Sequence, residues 1–175
     1  MKKSPALDYI FSRRSIRKYK PDPVEDSSLE LILKAAMSAP SAVAKDPWRF
    51  VIIDDFELKK KTADALPHGK FLVDAPVGIL VCGDLSAAHG GLEGYLIQDC
   101  SAAIENLLLA VNSLGLGACW LGVYPREERI DAMRNIFELP KNILPVACIS
   151  LGYPAEEKKS RDRYNPSYVH RNHWK

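Results

Sequence analysis

Arg13-Arg14-Ser15-Ile16-Arg17 puts three guanidinium groups and one hydroxyl within five residues. A guanidinium fork pairs bidentately with phosphate, and a hydroxyl beside it donates a further bond. The same residues would also make a solvated, charged turn after a short helix, so the cluster is a candidate phosphate site with an ordinary alternative. Ala39-Pro40-Ser41-Ala42-Val43-Ala44 is a run of small residues joining a helix end to a strand. It is either a plain connection or a surface that lets a planar ligand approach the backbone. Gly115-Leu116-Gly117-Ala118-Cys119-Trp120-Leu121-Gly122 carries three glycines and a Trp in eight residues. A helix C-cap and turn accounts for Gly115 and Gly117, whereas Gly122 fits better with close approach to a flat cofactor. The order of helix, glycines and strand is the reverse of the dinucleotide-binding fingerprint.

The usual catalytic sets are missing. There is no G-x-S-x-G, no H-E-x-x-H and no P-loop. His68 and His89 fall in polar loops, and His170 and His173 lack a nearby third ligand, so no metal site is expected. Cys119 lies beside Trp120 without a local activating partner. Asp99 is an isolated charge in an otherwise apolar helical run. It is either a helix-start carboxylate favoured by the dipole or a group that faces a ligand.

These residues must be positioned by a recognisable set of elements. Leu7, Ile10 and Phe11 suggest a short first helix. Ser27-Ser28-Leu29-Glu30 fits a capping box, and Leu29, Ile32, Leu33 and Ala36 continue at helical spacing up to Pro40. Residues 48–53 read as a strand, with Trp48 a core or interface anchor, and 57–65 as a charged helix. The run 76–82 is continuously apolar and β-branched, as in a central strand covered on both faces and closed by Gly83. Residues 89–94 read as a glycine-rich loop. From about 96 to 114, apolar residues surround nearly the whole helical circumference, which suits a helix in the middle of a core or at a large interface, with Gly115 as its C-cap. Residues 116–123 form a turn or short strand. Pro125 starts a further helix with Glu127 and Glu128 in its first turn, and 146–151 is another strand closed by Gly152. Beyond Ala155 the chain is charged and aromatic, with no apolar face of its own; it reads as a tail that wraps another surface, such as a second subunit.

Composition bounds the rest. A chain of 175 residues with 47% hydrophobic and 26% charged residues is one globular domain, spanning residues 1–175. Twenty-four Lys and Arg against 22 Asp and Glu leave a formal charge of only +2, which gives no general drive toward nucleic acid. The four cysteines are dispersed without a C-x-x-C pair, as buried free thiols in a reducing compartment would be. The N-terminus lacks a signal-peptide pattern, and no apolar stretch is long enough to span a membrane, so a cytoplasmic location is expected.

Taken together and in order, the segments resemble the nitroreductase family of FMN-dependent oxidoreductases. Arg13-Arg14-Ser15-Ile16-Arg17 is similar to the family's opening phosphate motif. Ala39-Pro40-Ser41 with Pro47-Trp48-Arg49-Phe50 is similar to its second motif. Asn106-Leu107-Leu108-Leu109 leading to Gly115-Leu116-Gly117 and Cys119-Trp120-Leu121-Gly122 is similar to its third. Gly152-Tyr153-Pro154, then Arg161 or Arg163 and Val169-His170, is similar to its closing motif.

The resemblance implies an α+β fold: a three-layer α/β/α sandwich around a mainly antiparallel sheet. It also implies a homodimer, with FMN bound noncovalently at two interfacial sites and residues 155–175 packed on the partner. Arg13, Arg14, Ser15 and Arg17 would hold the flavin phosphate, ribityl chain or ring edge, with Arg161 or Arg163 completing the phosphate site. Pro40, Ser41 and Ala42 would line the ring from the other subunit, and Trp120, Leu121 and Gly122 would lie near its other side. The family usually has Asn-x-Gln before Pro-Trp, where this chain has Ala44-Lys45-Asp46. Ala44 lacks the amide, and ionised Asp46 only accepts, which implies a flavin held less tightly or with a shifted potential. The implied reaction is ping-pong hydride transfer from NADH or NADPH through flavin N5 to an electron-poor small molecule such as a nitroaromatic or quinone. The flavin carries the chemistry and no protein nucleophile is needed. Two other readings remain: a specialised flavin enzyme with a narrow substrate, and a flavin-binding interaction protein without turnover.

Overall fold

The computed structural model describes residues 4–174. Among these residues, five α-helices and four strands occur in the order α1 (Pro5–Ser12), α2 (Asp26–Met37), β1 (Trp48–Ile53), α3 (Phe56–Ala65), β2 (Val77–Asp84), α4 (Glu93–Ser113), β3 (Gly117–Gly122), α5 (Glu127–Phe137) and β4 (Ile143–Gly152). The sheet order is β1-β2-β4-β3, with every neighbouring pair antiparallel. β2 and β4 are the inner strands and are buried almost throughout, which explains why they read as continuous apolar runs rather than alternating ones.

The sheet is the middle of an α/β/α sandwich. α4 lies against all four strands, with α2 and α1 packed on it. α3 and α5 pack on each other, with α5 against β4, and form the other layer. Leu96, Cys100, Ala103, Ile104, Leu107 and Val111 of α4 are almost completely excluded from solvent. This is the central helix that the all-round apolar pattern called for. Among the described residues, no helix is long and apolar enough to cross a membrane.

Several element boundaries differ from the sequence reading. The Ser27–Glu30 capping box does not form. α2 begins at Asp26, so Ser27 lies inside the helix, and the Glu30 carboxylate takes the Lys34 ammonium at 2.6 Å instead. The i,i+4 partner on the same face wins over the backbone. α4 begins at Glu93 and takes Gly94 into its first turn, where the loop was expected to continue. β2 runs past Gly83 to Asp84. Gly83 is needed there because a Cβ at this position would lie 2.3 Å from Leu96 of α4. β4 starts at Ile143 and contains Pro145, which the register shift opposite Val81 and Cys82 accommodates. Pro125 lies just before α5 rather than at its first position.

The segment after α1 is a strap rather than a free turn. Asn112 on α4 donates to the Tyr9 carbonyl and the Ser12 hydroxyl, both at 2.9 Å, and so fixes the end of α1. Ser15 then pairs with Ala118 of β3, and the Ile16 N–H donates to the Ala118 carbonyl at 2.9 Å. The strap can lie this close because residue 117 is glycine: a Cβ there would sit 2.8 Å from Ile16. Further on, Lys20 N–H donates to Tyr153 and Ala155 N–H donates to Lys18, both at 2.9 Å. The strap therefore pairs with β3 on one side and with the first tail residues on the other.

Candidate active site

The strap brings the cationic residues together. Arg13, Arg14, Ser15 and Arg17 line one cleft of about 360 Å³ with Lys158 and Arg163 of the tail. Antiparallel pairing of the strap with residues 153–156 carries Lys158 to Ser15, where its ammonium donates to the Ser15 carbonyl at 2.8 Å. Glu156 receives the Arg17 N–H at 2.6 Å and pairs with Lys158 at 2.9 Å. Partial burial opposes the Glu156 charge, but these donors prevail and hold its carboxyl below the usual range. Arg13 reaches Glu105 of α4 at 3.5 Å, and the Arg17 guanidinium stands 5.7 Å from the centre of the Phe71 ring.

The cleft keeps donor capacity in reserve. Arg14, Arg17 and Arg163 make no ion pair among the described residues, and Arg14 Nε is buried without an acceptor. Arg129 Nε and Arg134 Nε are likewise buried without an acceptor, but away from the cleft, so it is its position that distinguishes Arg14. Here it sits among like charges, an arrangement that a phosphate dianion would complete. Arg161 lines an adjoining cavity of about 670 Å³ with Arg13, Arg14 and Arg163, but not the cleft itself. The two tail arginines that spacing left equivalent are thus separated by position. Lys158 and Glu156 escaped the sequence reading. The signal for them was the strand-like pairing that must follow Gly152-Tyr153-Pro154, which is visible only once the strap is seen to be extended.

Cys119 and Tyr19 lie against the strap as structural groups. Burial pushes the Cys119 thiol up, although Arg17, Lys158 and the Ser15 hydroxyl oppose this, so it stays protonated at neutral pH. Cys82, Cys100 and Cys148 are also buried, with desolvation pushing each thiol up to about 12. Burial likewise raises the Tyr19 phenol. Tyr19 donates to the Ile16 carbonyl and shares a 2.7 Å hydrogen bond with Ser150 of β4, tying the strap to the sheet.

The second group of predicted residues lies elsewhere. Pro40, Ser41, Ala42, Ala44 and Asp46 line no part of the cationic cleft. They form a tight loop between α2 and β1 in which Val43, Ala44 and Asp46 have φ of 55°, 51° and 48°. Such left-handed backbone costs a non-glycine residue about 1–2 kcal/mol, so it persists only where the surroundings impose it. Side chains restrain the loop at three places, one of them the Arg49 guanidinium of β1, which donates to the Asp46 carbonyl at 3.3 Å. The Ser41 hydroxyl donates to the Asp46 carboxylate and accepts the Asp46 N–H at 2.9 Å. The Ala42 N–H donates to Asp99 Oδ1 of α4 at 2.9 Å. Val43 projects from the tip, 70% exposed.

The third group is divided by strand alternation. On β3, Leu121 is buried in the core while Trp120 is exposed on the other side. Arg129 of α5 donates to the Gly122 carbonyl at 2.8 Å. A Cβ built on Gly122 would meet the Tyr124 carbonyl at an ordinary contact distance of 4.0 Å, so packing within the chain does not demand glycine here.

The profile of the nitroreductase family matches residues 10–153. A provisionally named NADH dehydrogenase/NAD(P)H nitroreductase of Archaeoglobus fulgidus is 46% identical over 171 residues, covering 96% of this chain and 98% of that protein. The crystal structure of a similarly named protein from Parabacteroides distasonis superposes with a TM-score of 0.94 at 38% identity, covering 98% of this chain and all of that one. A provisionally named nitroreductase from Desulfovibrio desulfuricans, solved in complex with FMN, gives a TM-score of 0.85 at 32% identity, covering 99% of this chain and all of that one.

Proposed function

The chain belongs to the nitroreductase family, and from that premise we propose that it is an FMN-dependent NAD(P)H oxidoreductase acting as a homodimer. The observation that carries the reading is the cationic cleft with its orphaned Arg14 Nε. This donor set fits a phosphate monoester on a flavin mononucleotide. When bound, FMN supplies hydride acceptance and hydride donation at one ring position.

The protein's own residues bind and orient. Arg13, Arg14, Arg17, Lys158 and Arg163 hold the phosphate end, with the Ser15 hydroxyl as a further donor. Arg161 lies close enough to the same cavity system to add long-range attraction. Ser15 and Ile16 are fixed on β3, so the phosphate site is preorganised relative to Trp120 and Gly122. Fixed positive charge near the cofactor favours an anionic reduced flavin without reorganisation. Pro40, Ser41, Ala42, Ala44 and Asp46 line the ring of the site on the opposite subunit, which accounts for their separation from the cleft of their own chain.

A dimer is further supported by apolar surface. Leu7, Tyr9, Ile10 and Phe11 of α1 are exposed, Phe11 to 65%, and so are Tyr164, Tyr168, Val169 and Trp174 of the tail. Patches of this kind mark interaction surfaces. Ala155, Glu156 and Lys158 are tied to the strap of their own chain, and the part of the tail beyond the cleft packs on the partner, with one domain per chain. The enzyme takes hydride from NADH or NADPH and, in a second half-reaction, passes it to a nitroaromatic, quinone or related electron-poor acceptor.

The test is anaerobic titration of purified protein with each nicotinamide, followed by a panel of acceptors. Yellow protein with near-stoichiometric FMN that bleaches on titration is the expected result. Colourless protein that takes up no added FMN overturns the proposal. Bound FMN that is reduced but passes electrons to neither quinones nor nitroaromatics would favour the specialised, narrow-substrate reading, which the substituted loop at Ala44 and Asp46 motivates.

A further inference from the structure

Asp99 is 5% exposed on a helix face that otherwise packs apolar side chains, and only one of its oxygens has a partner. Oδ1 takes the Ala42 N–H at 2.9 Å, while Oδ2 is buried with no donor among the described residues. A half-satisfied carboxylate is a poor choice for stability, since neither full solvation nor full pairing compensates its burial. What it does accomplish is local. It grips the backbone immediately before Val43 and Ala44, at the entry to the left-handed stretch. The Ser41–Asp46 bonds close the loop on itself but do not attach it to the body of the protein. Arg49 of β1 attaches the far end of the loop by donating to the Asp46 carbonyl at 3.3 Å, and Asp99 attaches its entry at Ala42.

We propose that Asp99 is a positioning residue, holding the Ser41–Asp46 loop through Ala42 in the shape that meets the flavin ring. The proposal rests on the reading of this loop as a flavin-lining element. A loop released from Asp99 would relax toward ordinary backbone angles and withdraw Pro40, Ser41 and Ala42 from the ring.

Two variants and two kinds of readout test this. Asp99→Ala removes the acceptor, while Asp99→Asn keeps a carbonyl acceptor for Ala42 of nearly the same shape. Amide hydrogen exchange on flavin-free protein reports the loop alone. Ala42 should exchange about tenfold faster in Asp99→Ala, the loss of one hydrogen bond, and should be largely restored in Asp99→Asn. On FMN-loaded protein, Asp99→Ala should change the visible absorption and dichroism of the flavin and raise the acceptor KM more than it lowers kcat. Asp99→Asn should restore both.

Unchanged Ala42 exchange in Asp99→Ala overturns the proposal. So does faster exchange accompanied by an unaltered flavin spectrum and an unaltered KM, which would make Asp99 purely structural. Wild-type protein that takes up no FMN overturns the flavin reading itself, and exchange at Ala42 in that same protein still decides whether Asp99 holds the loop.

Discussion

The cationic cleft and the 41–46 loop are two halves of one proposed site, built on opposite physical plans. The cleft is made of long charged side chains on an extended strap, each in relaxed backbone, with its cost in charge repulsion. The loop is made of small side chains in left-handed backbone, with its cost in conformation. The first invites an anion, since binding relieves the repulsion. The second shapes a surface, and its energy is spent whether or not a ligand is present. Substitutions in the two halves should therefore fail differently.

The largest effect is expected in the cleft. Arg14→Ala and Arg17→Ala should each raise the FMN dissociation constant about 10- to 100-fold, since a bond to a charged group contributes roughly 1.5–3 kcal/mol. Both should leave the melting temperature nearly unchanged, or raise it slightly by reducing repulsion. Fluorescence titration of FMN checks the affinity. An unchanged constant for both variants would remove the cleft from the site and dissolve the comparison.

Gly117→Val should act on the cleft through the fold. Its Cβ would meet Ile16 at 2.8 Å, so the strap must move off β3. Overpacking of this kind costs about 1–3 kcal/mol, readable as a lower urea midpoint. Flavin affinity should fall with it, because Ser15 and Arg17 move together. Lost stability with intact affinity would show that the strap's seat on β3 does not set the phosphate site.

A smaller effect concerns pH. The Glu156 carboxyl is held below its ordinary value by the Arg17 N–H and Lys158. A depressed carboxylate contributes stability that is complete above its unfolded value, near pH 4, and is lost as pH falls through the lower folded value. Proteolysis of the tail should therefore increase below about pH 4, before the sheet unfolds. Glu156→Gln should show the raised cleavage already at neutral pH, and equal tail cleavage in wild type and variant at both pH values would refute the clamp.

The two halves also differed in legibility. Arg13, Arg14, Ser15 and Arg17 were visible because they are consecutive and charged. The strands at Trp48–Ile53 and Val77–Asp84 and the central helix α4 were visible because their apolar periods are strong. Gly115 announced the end of α4, and its φ of 72° shows why. The contribution of Lys158 and Glu156 was hidden because it depends on pairing between segments some 140 positions apart. The loop was visible as a candidate ligand surface, but its backbone shape was hidden for another reason. Val43 and Ala44 are not residues whose types suggest left-handed backbone, although Asp46 tolerates it, and the contact proposed to hold the loop comes from Asp99, far off in sequence. The capping box failed similarly: a correct local pattern at Ser27–Glu30 lost to a Lys34 partner on the same face.

The smallest expected effect sharpens the comparison most. Ala44 adopts φ 51°, where asparagine and glycine are accommodated more readily than alanine. Ala44→Gly should therefore leave stability unchanged or raise it by up to about 1 kcal/mol, since relief of the folded backbone opposes the added entropy of the unfolded chain. It supplies no new group to a ligand, so FMN affinity should not improve. Ala44→Asn should relieve the same backbone and also restore the amide usual in the family, so stability and affinity should both rise, affinity by up to about tenfold for one added hydrogen bond. Urea denaturation of the flavin-free protein and FMN titration separate the two contributions. If glycine and asparagine tighten FMN equally, the loop acts through its conformation alone. If asparagine stabilises the flavin-free protein without tightening FMN, the loop does not meet the ring, and the cleft would be the only half of the site in contact with the cofactor.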